Sequence, residues 1–163
     1  MALFPRLSMF LLSALLLAGC AAKPLFELSG VDGSITPDRA VNHPQNSLGK
    51  RVLWGGTILQ LHNLQQGTQV EVLAYPLDDY HRPLPDREPM GRFLVRHPGF
   101  LEPLVYAQGR QLTVLGEVGD SQTGKVGESS YRYPVILAHQ LQLWPEQRGF
   151  GRTRFHFGIG IRL

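Results

Sequence analysis

The chain has 163 residues, of which 18% are charged, and lysine plus arginine exceed aspartate plus glutamate by only three. So small a surplus gives no electrostatic footprint for nucleic acid. Low charge with 18 glycines and 12 prolines scattered along the chain argues against a helical bundle and for short strands joined by turns.

Arg6 is the only charged side chain before Lys23, and Met9 to Ala18 is apolar apart from Ser13. A charged start followed by an apolar run is the layout of a secretory signal. The run is far short of the ~20 residues a helix needs to cross a bilayer, so a permanent span is the weaker reading. The segment ends Leu17-Ala18-Gly19-Cys20, which resembles the lipobox of bacterial lipoproteins. The resemblance implies that residues 1–19 are removed, that Cys20 receives a diacylglyceryl thioether, and that its new amine is acylated. An ordinary signal with an incidental cysteine is the alternative. Cys20 is the only cysteine, so no intramolecular disulfide can form in an oxidising compartment. Each buried methylene adds about 0.8 kcal/mol, so two or three acyl chains would hold the protein on the membrane. Ala21 stands where aspartate typically retains such proteins in the inner membrane, which implies an outer-membrane, periplasmic-leaflet destination.

The stretch from Ala21 to Lys50 mixes Pro24, Gly30, Gly33, Pro37, Pro44 and Gly49 with polar side chains and reads as tether and lead-in loop. Within it, Thr36 as cap and Pro37 as first helical residue predict one short helical turn. Val52 to Leu61 is a strand-forming run whose Gly55-Gly56 pair predicts a bulge or bend. Gln69 to Tyr75 alternates apolar and polar residues, and the two runs predict a hairpin around residues 63–68. Pro76 to Pro89 is a proline-studded loop, Gly91 to Arg96 a third strand, and Leu101 to Ala107 a connection with at most one helical turn. Arg110 to Val118 alternates again, Asp120 to Ser129 reads as a polar turn region, and Tyr131–Ala138 and His139–Trp144 complete the set. Five or six strands predict a small closed or partly open all-β barrel, because closure removes exposed edges.

The tail from Gln147 carries Arg148, Arg152, Arg154 and Arg162 without an acidic residue, and Phe155, Phe157, Ile159, Ile161 and Leu163 occupy alternate positions. It reads as a one-faced strand that either closes the barrel or lets Arg148, Arg152 and Arg154 lie on anionic lipid, at about 1 kcal/mol per charge.

Signals for catalysis are weak. His43, His62, His81, His97, His139 and His156 have no metal-ligand spacing, and no free cysteine assists them. Asp78, Asp79, Asp86 and Glu88 lie among His81, Arg82 and Arg87, which fits a solvated, ion-paired loop better than the carboxylate pair of a glycoside hydrolase. No GxSxG, P-loop or GxGxxG occurs. Neither cofactor nor enzymatic activity is expected. Among the aromatic residues Trp54, Tyr75, Tyr80, Tyr106, Tyr131 and Tyr133, the candidates for ligand or membrane contact are Trp54, Tyr80 and Tyr106; core packing is the alternative for each.

From Leu48 to Trp144 the chain resembles the Slp family of outer-membrane lipoproteins. The resemblance rests on Gly55-Gly56, Tyr75 to Tyr80, Gly91 to Leu94, Pro98 to Tyr106, Leu112 to Gly116 and the run from Tyr133 to Trp144. It implies an OB-like barrel on a lipid anchor, associated with stationary phase or stress, with no catalytic residues to carry over. The expected organisation is a removed signal at 1–19, a lipidated tether and loop at 20–47, and an Slp-like barrel at 48–163 ending in the arginine-rich strand. The expected role is structural or stress-adaptive in the envelope, through contact with another component, an envelope protein or glycan. The alternative is a module recognising a polysaccharide or peptide through an aromatic face.

Overall fold

A strand with one buried face buries every second residue, and residues 67–74 do so along their whole length, with Thr68, Val70, Val72 and Ala74 inward. The computed structural model describes residues 24–146. The leader, Cys20 and the tail with Arg148, Arg152, Arg154 and the alternating Phe155–Leu163 lie outside the described residues.

Strands β1 (Arg51–Leu64), β2 (Gly67–Ala74), β3 (Arg92–His97), β4 (Gln111–Val126) and β5 (Ser129–Leu143) close into a barrel in the order β1-β2-β3-β5-β4. All neighbours are antiparallel except β3 and β5. Central β1 closes the ring: residues 51–57 pair with β4 and residues 56–64 with β2. That double duty needs a strongly coiled strand, and Gly56 is where the change occurs. A Cβ there would overlap the Leu73 carbonyl, so only glycine lets the strands approach. The bulge anticipated at the glycine pair lies a little further on, between Ile58 and Gln60. This five-strand order is the OB-like architecture.

Inside, Val52, Trp54, Ile58, Val70, Val72, Phe93, Val95, Leu112, Val114 and Ile136 form one buried cluster, each full burial worth roughly 1.5–3 kcal/mol. Trp54 and Phe93 meet edge to face with centroids 5.3 Å apart.

Three expectations are corrected. The region from Asp120 to Ser129 is not a loop: β4 runs on to Val126 and pairs with β5 through Val126 and Ser129, making a long ribbon. The two runs expected at 131–138 and 139–144 are one strand, interrupted by a register shift at His139 opposite Leu115 and Gly116. The stretch read as a tether is mostly packed structure. Phe26 is buried, Val31 bridges Arg51, and helices α1 (Pro37–Asn42) and α2 (Pro44–Ser47) follow, with Ala40 in the barrel core. Both helices open on proline. Thr36 makes no cap bond; its hydroxyl donates to Asp38 instead.

Candidate functional site

The side of the barrel where the chain leaves the folded region is defined by a few hydrogen bonds. Gln140 Nε2 donates to the Leu25 carbonyl at 2.6 Å, and Arg51 Nη2 donates to the Glu27 carbonyl at 2.9 Å. Phe26 lies 5.9 Å from the His81 ring. The 76–91 loop is fixed to the same side: Thr113 donates to the His81 carbonyl, Trp144 Nε1 donates to Thr113, and Arg82 reaches Gln111 and the Pro145 carbonyl while lying over the Trp144 ring. At the other exit, Arg110 donates to the Trp144 and Val105 carbonyls and approaches Glu146 at 3.8 Å. Both chain exits therefore open near the last third of β5. Leu25 follows Cys20 by five chain steps, and an extended chain spans about 3.5 Å per residue, so the length of chain between them is at most about 18 Å.

The aromatic candidates do not share a face. Trp54 is buried in the core and donates Nε1 to the Ile35 carbonyl at 2.7 Å, because a large ring with one polar atom is stable inside once that atom is paired, and it also lines the apolar cleft beside the N-terminal segment. Tyr106 packs against the core cluster and is only partly accessible. Tyr80 is 81% exposed at the tip of the 76–91 loop. Arg148, Arg152, Arg154 and Cys20 lie outside the described residues.

The outer side of β2–β3, where OB-like barrels receive polymers, is occupied by this chain's own β4–β5 ribbon. Leu94, Tyr133 and Val135 are buried there as a second cluster with Val126 and Tyr131 against it. Tyr133 donates to Glu71 Oε1 at 3.1 Å, Arg92 Nη1 donates to the same oxygen at 2.7 Å, and the Arg92 backbone N–H donates to the Tyr131 hydroxyl at 3.0 Å. The bond to Glu71 raises the Arg92 pKa. Burial first, then the Glu71 charge, raises that of Tyr133. Sequence reasoning missed this cluster: alternation marks Glu71 as outward-facing but does not name its partner.

An apolar cleft of about 320 Å³ lies between the N-terminal segment and the barrel, lined among others by Leu28, Val31, Leu53, Tyr75, Leu77 and Met90, with no charged side chain. In the 76–91 loop, Asp78 Oδ1 accepts the Tyr80 and Arg82 backbone N–H groups, a turn role. The ion pairing expected for Asp78, Asp79, Asp86 and Glu88 is absent among the described residues, since Arg82 is engaged elsewhere. No group of three metal-ligating side chains occurs among the described residues, and no described helix is long and apolar enough to cross a membrane.

All thirteen acidic residues fall between Glu27 and Glu146, against ten lysines and arginines in that span, so the barrel is net negative while the tail is positive. The second feature that sequence reasoning missed is a group of exposed apolar side chains: Leu104 (87%), Phe100 (68%), Leu64 (60%) and Val105 (47%).

A closed five-strand OB-like barrel defines the class of the described residues, an all-β domain. The model of the outer membrane lipoprotein Slp family matches residues 17–156, and the chain belongs to that family. The match extends past the Leu48–Trp144 resemblance at both ends, taking in Cys20 and the arginines at 148, 152 and 154. The uncharacterized lipoprotein YeaY of Escherichia coli (strain K12) is 30% identical over 136 residues, covering 80% of this chain and 68% of YeaY. The outer membrane protein Slp of the same strain is 28% identical over 135 residues, covering 79% and 69%. Among solved structures, a small single-stranded DNA-binding protein from Streptomyces coelicolor aligns with a TM-score of 0.34 and 15% identity over 58% of this chain and 94% of that one.

Proposed function

We propose that this protein is a non-enzymatic lipoprotein of the cell envelope, held by acyl groups on Cys20 in the periplasmic leaflet of the outer membrane. Its barrel contributes to envelope integrity under stationary-phase or other stress by contact with a neighbouring envelope component. The observation that carries this reading is the family match, which runs unbroken from the leader through Cys20 and the barrel. Two features of the barrel support it. The surface that related architectures offer to polymers is covered by the β4–β5 ribbon, and the apolar cleft is lined by no carboxylate, histidine, lysine, arginine or cysteine. Apart from the covalent lipid, the proposal requires no cofactor and no nucleic acid.

A strain lacking the gene tests the role. In stationary phase it should release more of a periplasmic marker enzyme than its parent, and expression of the wild-type chain should restore retention while Cys20→Ser should not. Full rescue by Cys20→Ser would remove the anchor from the function, and unchanged retention in the deletion strain would remove the envelope role.

A further inference from the structure

The exposed apolar side chains are displayed by a rigid frame. The loop between β3 and β4 is fixed at its start by Leu101, which is buried, donates its N–H to Thr68 Oγ1 at 3.1 Å and accepts from Asn63 Nδ2 at 3.0 Å. Its far side is fixed by Arg110, which donates to the Val105 carbonyl. Between these points the Glu102 carbonyl accepts the Val105 and Tyr106 N–H groups in a tight turn. The turn directs Tyr106 toward the core and leaves Leu104 and Val105 in solvent. Leu64, in the adjoining β1–β2 turn, and Phe100 extend the apolar edge. Four large apolar residues on hydrogen-bonded turns exceed what single scattered surface residues require.

The short lead from Cys20 decides what covers them. With Leu25 held on Gln140 and the acyl chains no more than about 18 Å away, one side of the barrel must rest close to the bilayer. The 76–91 loop is a poor candidate, since Asp78, Asp79, Asp86 and Glu88 oppose an anionic lipid surface. The 98–110 loop has Glu102 as its single acidic residue, with His97 and Arg110 at its ends. It also adjoins Glu146, after which the arginine tail begins.

We infer that Leu64, Phe100, Leu104 and Val105 form an interfacial dock that enters the headgroup and upper acyl region of the bilayer carrying the anchor. The inference rests on the lipid-anchor reading and assigns the side by which the anchored barrel faces the membrane. Interfacial binding of this kind grows with buried apolar area and with attraction to anionic lipid.

Because Cys20 is the only cysteine and would be blocked as a thioether, single introduced cysteines report on position. Full-length lipidated protein carrying Leu104→Cys, Tyr80→Cys or Glu128→Cys is labelled with an environment-sensitive fluorophore. It is then reconstituted in phosphatidylethanolamine and phosphatidylglycerol vesicles containing nitroxide-labelled lipid. The label at 104 should emit at shorter wavelength and be quenched by the nitroxide, while those at 80 and 128 should resemble the label in buffer. Leu104→Glu should lower the quenching of a label at Phe100→Cys without reducing flotation. Flotation with position 104 no more quenched than position 128 would overturn the dock and leave the anchor standing. A shift to shorter wavelength at 104 without lipid quenching would overturn it in favour of a protein cover. Loss of flotation in the wild-type chain would overturn the anchor and the dock together.

Discussion

The two outward-facing apolar groups of this barrel are treated in opposite ways. On the β2–β3 side, Leu94 points away from the core and is nevertheless buried, because the β4–β5 ribbon folds over it with Tyr131, Tyr133 and Val126. On the 98–110 side, the chain has a tight turn held by backbone and side-chain hydrogen bonds but places nothing over Leu104 or Phe100. The difference teaches that exposure at the second site does not come from looseness of the loop. The protein closes one apolar surface with its own strands and holds the other open.

Mutation should separate the two sides. Leu94→Ala on the closed side should cost about 2–4 kcal/mol, as buried leucine truncations do, read as a fall in the urea unfolding midpoint; an unchanged midpoint would mean that the ribbon does not pack there. Glu71→Gln should cost less, about 0.5–1 kcal/mol, since the Arg92–Glu71 pair is partly accessible and screened. A double-mutant cycle with Arg92→Gln measures that coupling.

The ribbon should also respond to alkali. Burial and the Glu71 charge hold the Tyr133 pKa above its unfolded value near 10, so the folded state keeps the proton longer than the unfolded one. The associated stability is fully present below the unfolded pKa and is lost as pH rises through the folded one. Urea midpoints should therefore fall more steeply above about pH 10 for the wild-type chain than for Tyr133→Phe. Parallel slopes would contradict the placement of Tyr133. The smallest effect belongs to the open side, where Leu104→Ser should change stability by no more than about 0.5 kcal/mol, within the range of surface substitutions. A larger loss would show that Leu104 supports the fold.

The sequence pattern foretells those parts of the fold in which burial alternates. β2, and β1 up to the bend, stand out because one face of each is in the core, whereas in β3 the outward Leu94 is buried as well. The outer ribbon was invisible because Asp120 to Ser129 is exposed on much of both faces, so no period marks it. The N-terminal segment was misjudged for a related reason: its prolines and glycines signal irregular backbone, which is correct, but nothing local reveals that Phe26 and Ala40 find partners in distant strands. At the candidate site, the Leu17–Cys20 motif stands out in sequence because its residues are contiguous, and it lies outside the described residues. Sequence alone does not choose for Trp54, because an indole suits a wet surface and a paired core position equally, and here it is buried yet lines the cleft. Leu104 passed as an ordinary loop residue because its exposure is a property of the folded turn.

The central claim is that anchor and barrel form one outer-membrane lipoprotein. Intact-mass measurement of the protein extracted from separated inner and outer membranes, beside Cys20→Ser, tests it most directly. The account predicts a chain beginning at Cys20 with added acyl mass in the outer-membrane fraction, lost in the variant. An unacylated chain in the soluble periplasm would contradict it.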